Sequence, residues 1–439
     1  MLSKFWWRKI SIPHFYKFII GCLVFIFLLF VIYKRHSHNK QELTEEQLTL
    51  RESISVLATN PNWNLLKYYH KTISKKKFLE QIKTVYSEGD AWKTVAKIGE
   101  DFVDIKASKN NFTRVYFSNN NSYSTGPKYW RSSNEMPKLS DPANKPLEDL
   151  IIAIDPGHIG GRWAKMEGRW YQVKNAGIEI KEGELTLKIA KRLKEKLEPL
   201  GSKVNLVRTN NNPVNKLDPK NFIELAKKTL KSKGLPLNQK NIKRESELIF
   251  YRKHEIRRRA YIINKKIKPD IAICIHFNAE SWGNPKDPIL TDNNHLHLLV
   301  NGNYSQYEFR LEDNRYHLFL RLFQNIHSEE FELSKSIARS LARETLLPPY
   351  VYRTSTAKLI DNNQPYIYAR NLLANRIYHC PVIFLEPYVM NSKVFYHRAQ
   401  LGAYKGLKIV DGIKRKNVIE EYTDGIVSGL TEYYASKRD

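Results

Sequence analysis

Five short apolar runs recur through the C-terminal two-thirds of this chain, at residues 151–154, 204–207, 271–275, 296–300 and 382–385. Each is too uniformly apolar to leave one face in water, which marks strands covered on both sides. Between them lie segments with apolar residues at helical spacing: Leu185, Ile189, Leu193 and Leu197; Ile256, Ala260, Ile263 and Ile267; Leu333, Ile337 and Leu341. Alternation of this kind predicts an α/β fold, a mostly parallel twisted sheet with helices on both faces. Chemistry is expected at the carboxyl ends of its strands.

Before that region the chain holds other signals. Residues 15–33 are apolar except for Lys17. At about 1.5 Å per residue a helix of this length spans about 28 Å, close to the roughly 30 Å hydrocarbon core of a bilayer. Trp6, Trp7 and Tyr33 suit interfacial belts. Lys34-Arg35-His36 follows directly where a cleavage site would need small residues, so an uncleaved anchor is expected rather than a signal peptide. Phe78, Ile82 and Val85 then fall at helical spacing, and Phe102, Val103, Ile105, Val115 and Phe117 read as short strands. These predict a small α+β module over about 60–135, followed by a polar linker. The organisation expected is 1–40 for the N-terminal segment and transmembrane helix, 41–147 for connector, module and linker, and 148–439 for the α/β domain. N-inside topology would put the α/β domain on the outer side of the membrane.

With 42% hydrophobic residues the chain is no disordered tail, and 72 Lys and Arg against 45 Asp and Glu leave a net charge of +27 that favours anionic neighbours. The basic residues are spread along the chain without a nucleic-acid motif, so nucleic acid is not an expected partner. Three cysteines cannot build a disulfide framework; Cys22 lies in the apolar run, and Cys274 and Cys380 read as buried, unpaired strand residues.

The strand ends carry the chemistry. The first strand runs into Asp155-Pro156-Gly157-His158-Ile159-Gly160-Gly161, the third ends at His276, and Glu182 stands just before the helix that begins near Leu185, with Glu179 and Glu184 close by. Two imidazoles and a carboxylate at one rim form a His₂Glu set, the arrangement of a catalytic zinc with its fourth position left to water. Asp155 and Asn278 are candidates to orient the imidazoles. Glu386 ends the last core strand, where a carboxylate is costly unless paired or functional, and it suits a general base. The histidines His295, His297, His379 and His397 read as packed or solvated. Arg257, Arg258 and Arg259 read as a solvated helix face, and residues 211–250, with eight lysines, as a surface insertion.

Five segments appear in order: Ile154-Asp155-Pro156-Gly157-His158, Glu182-Gly183-Glu184-Leu185-Thr186-Leu187-Lys188-Ile189-Ala190, Val207-Arg208-Thr209, Ile275-His276-Phe277-Asn278-Ala279 and Phe384-Leu385-Glu386-Pro387. Together they make residues 148–435 resemble the zinc-dependent N-acetylmuramoyl-L-alanine amidases. The resemblance implies hydrolysis of the amide joining N-acetylmuramic acid to L-alanine in peptidoglycan, zinc on His158, Glu182 and His276, and a catalytic role for Glu386. It selects Glu182, eight residues before Ala190, with Glu184 as its competitor. Ile159 interrupts the usual Gly-His-Gly-Gly turn, and the interval from His158 to Glu182 is long for the family. An activator protein is a further partner the reading allows. The rival readings are a non-catalytic peptidoglycan-binding module and a zinc peptidase acting within the stem peptide.

Overall fold

A computed structural model describes residues 53–119, 123–173 and 177–438. The apolar segment 15–33 lies outside them, and among the described residues no helix is long and apolar enough to cross a membrane.

The N-terminal part of the described chain carries a short helix α1 (Lys75–Gln81), started by Ser74, whose hydroxyl accepts from the Lys77 N–H. It then forms an antiparallel meander of β1 (Ala96–Ile98), β2 (Phe102–Lys106) and β3 (Phe112–Tyr116). Val103, Ile105 and Val115 alternate inward. Phe78 stacks on Phe319 and Phe323 of the C-terminal part, so this core is continuous with the one beyond it. The polar stretch that follows is fastened to the sheet: Arg131 donates to both carboxylate oxygens of Asp270, and the Ser133 N–H donates to Glu329.

The main sheet draws on strands β4 (Ile151–Pro156), β7 (Lys203–Leu206), β8 (Ile271–Ile275), β11 (Leu296–Val300), β12 (Lys358–Leu359), β13 (Ile367–Ala369) and β14 (Val382–Pro387). Three small pairs among the described residues, β5 (Trp170–Tyr171) with β6 (Ile180–Lys181), β9 (Gly283–Asn284) with β10 (Asp287–Pro288) and β15 (Lys408–Val410) with β16 (Ile413–Arg415), stand outside it. The order is β12-β13-β11-β14-β8-β4-β7. The run β14, β8, β4, β7 is parallel throughout, while β11 pairs antiparallel with β14 and β12 with β13.

Strand residues divide by parity between two hydrophobic clusters, as a doubly covered sheet requires. Ile152, Ile154, Ile273, Ile275, Ile383 and Leu385 face one cluster; Ala153, Ala272, Cys274, Val382 and Phe384 face the other. The first cluster is closed by α3 (Glu182–Leu197), α8 (Ile326–Thr345) and α10 (Val418–Arg438), contributing Ile189, Leu193, Ile337, Leu341 and Ile426. The second is closed by Ala260, Ile263 and Ile377. Helices α8 and α10 pack closely because Gly425 and Gly429 have no side chain; a Cβ on Gly429 would sit 2.6 Å from the Ile337 Cα. Cys274 and Cys380 are buried and free.

Residues 211–250 form structured helices, α4 (Ile223–Ser232) and α5 (Gln239–Leu248), rather than a loose surface excursion. Phe222, Ala226, Ile249 and Phe250 pack on Ile159 and Trp163, so the insertion buttresses the glycine-rich turn. The basic run in α6 (Glu255–Tyr261) departs from the expected solvated face. Arg259 is buried, bonded to Asp155 at 2.8 Å and Glu255 at 3.0 Å, because the helix turns that side chain toward the end of β4. Arg257 lies 3.8 Å from Asp313.

Candidate active site

β4, β8 and β14 run parallel, so their carboxyl ends share one rim, and the chemistry gathers there. His158 follows β4 in a left-handed conformation, φ 58°, strain of the kind that clusters at functional sites. The turn is held by its carbonyls. Arg259 donates to the Pro156 and His158 oxygens, Thr186 to that of Gly157, and the buried Arg208 to that of Gly183 at 2.7 Å. Burial and the neighbouring Arg259 push the Arg208 guanidinium down to about 9. Gly157 is required here, because a Cβ would lie 2.3 Å from the His276 ring. That ring stacks on Phe384 at 4.4 Å, and the His276 carbonyl accepts from Tyr422.

Glu182 is the first residue of α3 and is fully buried. Its Oε2 lies 3.1 Å from His158 Nε2 and its Oε1 3.3 Å from His276 Nδ1, while Oε1 also accepts from the Phe277 N–H. The potential ligand atoms of His158, Glu182 and His276 all lie within 4.8 Å of one another. Burial alone would raise the Glu182 carboxyl, but His158, Arg169 and His276 outweigh it and bring it to about 2. An ionised, buried carboxylate whose Oε2 accepts no hydrogen bond of good geometry, facing two imidazoles, fits a divalent cation. The competing carboxylates are engaged elsewhere: Glu184 accepts from the Gly161 N–H, and Glu179 pairs with Lys181.

Glu386 lies near the end of β14, and its side chain lines a cavity of about 380 Å³ together with His158 and His276. Burial pushes its carboxyl up to about 7, with Glu182 adding to the rise and His276, Arg169 and Arg370 opposing it. All four expected site residues therefore come together.

The two expected orienting residues do not do that work. Asp155 turns inward, where Arg259 and the Tyr378 hydroxyl occupy its oxygens at 2.8 and 2.6 Å. Asn278 caps its own turn through the Ala279 N–H. The imidazole is instead held by Glu167, at the end of α2 (Trp163–Glu167). Its Oε1 is 3.5 Å from His158 Nδ1, and its Oε2 accepts from the Ile159 N–H at 2.9 Å. Burial raises this carboxyl, yet His158 and the Ile159 N–H together hold it below the usual range. Arg169 was missed as well. The antiparallel register Trp170↔Lys181 puts it beside Glu182, with Nε 3.6 Å from Oε2. Both residues belong to the long interval between His158 and Glu182; its signal was an acidic and a basic residue set among Trp163, Met166 and Trp170.

The family profile described as N-acetylmuramoyl-L-alanine amidase matches residues 152–393, more than half of the sequence. This chain belongs to that amidase family. The matched span contains all four residues at the rim. Among solved structures, the N-acetylmuramoyl-L-alanine amidase from Clostridium difficile 630 aligns at 16% identity over 65% of this chain and 97% of its own, with a TM-score of 0.33. The Ami1 amidase of Mycobacterium smegmatis aligns at 16% over 66% and 99%, TM-score 0.36. The CwlD amidase from Clostridioides difficile, solved in complex with the GerS lipoprotein, aligns at 14% over 66% and 99%, TM-score 0.37. No curated protein matches the sequence. As an amidase of this family the chain is an enzyme of peptidoglycan amide hydrolysis, and among the described residues the other histidines stand outside the His158–Glu182–His276 group. His379 bonds to His317, His297 to Tyr352, and His397 lies 3.4 Å from Asp411.

Proposed function

We propose that this amidase hydrolyses the bond between N-acetylmuramic acid and L-alanine with a zinc ion held by His158, Glu182 and His276, and with Glu386 as the catalytic base. The observation that carries the reading is the convergence of two imidazoles and a buried carboxylate within 4.8 Å beside a cavity that Glu386 shares. Bound zinc would polarise the scissile carbonyl and acidify a water.

The chain's own residues supply the rest. Glu386, pushed up to about 7, is placed to accept a proton from the attacking water near neutral pH and return it to the alanine amine as it leaves. Glu167 fixes the His158 ring, and Phe384 holds the plane of His276. The Arg169 guanidinium, lining the same cavity, is positioned to meet negative charge developing on the carbonyl oxygen. We also read the catalytic part as acting on the wall side of a bacterial membrane, tethered through residues 15–33; the length and apolar character of that segment support it. An activator protein remains part of this reading.

The test is zinc analysis of the full-length protein combined with mass spectrometry of digested peptidoglycan. Release of intact stem peptides starting at L-alanine is expected. Cuts inside the stem would favour a peptidase, and binding without release a non-catalytic module.

A further inference from the structure

The cavity beside the His158–Glu182–His276 cluster has cations that its own carboxylates do not neutralise. Arg259 is occupied by Asp155 and Glu255, Arg169 faces Glu182, and Glu167 is committed to His158. Arg252, Lys253 and Arg370 line the same cavity, and among the described residues none of the three has a carboxylate within 4.0 Å. Arg370 Nη1 has only the Tyr352 hydroxyl, at 3.5 Å. Burial, together with Arg376, Arg257, Lys233 and Arg252, holds the Lys253 ammonium below the usual lysine range, so positive potential accumulates there. Glu386 is the remaining carboxylate of the cavity, one against these three cations. Lys253 and Arg370 are half-buried and Arg252 is exposed; a half-buried, unpaired cation is costly, and an arriving anion removes that cost while gaining charge-assisted hydrogen bonds.

We propose that Arg252, Lys253 and Arg370 form a carboxylate-binding subsite, which takes a free carboxylate on the peptide residue that follows the alanine of the scissile amide. The assignment rests on the amidase reading for the position of that alanine. It makes the enzyme selective for stem peptides with a free α-carboxylate at the second residue over those in which it is amidated. The helical segment that presents Arg252 and Lys253 directly follows the 211–250 insertion, so the insertion that supports the glycine turn also leads into this wall. Arg370 comes from a different element of the same cavity lining, directly after β13. Two elements of one cavity then fix the peptide's direction through a single charge.

Titration calorimetry of the full-length protein in detergent, with L-alanyl-D-glutamate blocked as its γ-methylamide and with the α-carboxamide of that same compound, tests the subsite directly. The carboxylate is expected to bind about tenfold or more tightly, with an affinity that falls as salt is added. Lys253→Met and Arg370→Met should each erase that preference, and Lys253→Arg should keep it. Equal affinities for the two peptides, or a preference that survives both methionine variants, would overturn the proposal. Cleavage of muramoyl peptides carrying either group separates the two claims. Hydrolysis without preference leaves the amidase reading standing and removes the subsite. Preferential binding without any hydrolysis keeps the subsite and removes the amidase reading.

Discussion

Glu167 Oε1 lies 3.5 Å from His158 Nδ1, while the same ring presents Nε2 to Glu182 at 3.1 Å. One imidazole is thus gripped on both nitrogens, and the carboxylate behind it fixes which nitrogen points to Glu182 and the proposed zinc. Glu167→Gln should weaken zinc binding by about 10- to 100-fold, in line with the loss of other residues behind metal ligands. Competition with a fluorescent zinc chelator measures this without reference to turnover. Unchanged affinity would reduce Glu167 to a brace for the Ile159 N–H.

Glu386 stands outside the His158–Glu182–His276 group, and its proposed work is proton transfer. Glu386→Gln is expected to bind zinc normally and to lose about 10²- to 10⁴-fold in the rate of stem-peptide release. Metal content and muropeptide digestion, measured on one preparation, distinguish this from a folding defect.

Arg259 joins Asp155, Glu255 and the carbonyls of the catalytic turn in a buried network. Arg259→Met would strand two carboxylates in the interior. A loss of about 3–5 kcal/mol is expected, seen as a lower urea midpoint. A change within the scatter of surface substitutions would show that water replaces the guanidinium.

His327 is buried on α8, and burial, with Arg321 and Lys77 adding to it, pushes its imidazole down to about 3. Its ordinary value is 6.5, so the unfolded chain takes up the proton first. The stability from keeping it neutral is present above about pH 6.5 and is lost as pH falls toward 3. Between pH 7 and 4.5 this one residue should cost on the order of 2 kcal/mol, and His327→Leu should flatten the fall of melting temperature over that range. His379, pushed down to about 4 by burial and by Arg321 and Lys265, acts in the same direction.

Gly429 faces the Ile337 backbone where α8 and α10 cross. Gly429→Ala is expected to destabilise the fold by about 1–3 kcal/mol through overpacking, despite the better helix propensity of alanine. Thermal melts would show this, and a neutral effect would mean the two helices part easily.

The sheet and the rim were legible in the primary structure because both rest on local rules. Uniform apolar runs specify strands covered on both faces, and parallel strands bring their carboxyl ends to one edge, so His158, His276 and Glu386 could be placed there by chain order alone. What neighbours do to a side chain has no local signature. Arg259 reads as part of a solvated basic stripe until α6 is docked on β4, and Asp155 reads as a partner for an imidazole until that docking supplies a guanidinium instead. Glu167 and Arg169 reach the cluster because α2 and the β5–β6 register fold the long interval back over it, a matter of three-dimensional closure. Periodicity and strand-end position determined where chemistry would be found; tertiary packing decided which charges are buried together and hence which of them are free to meet a substrate.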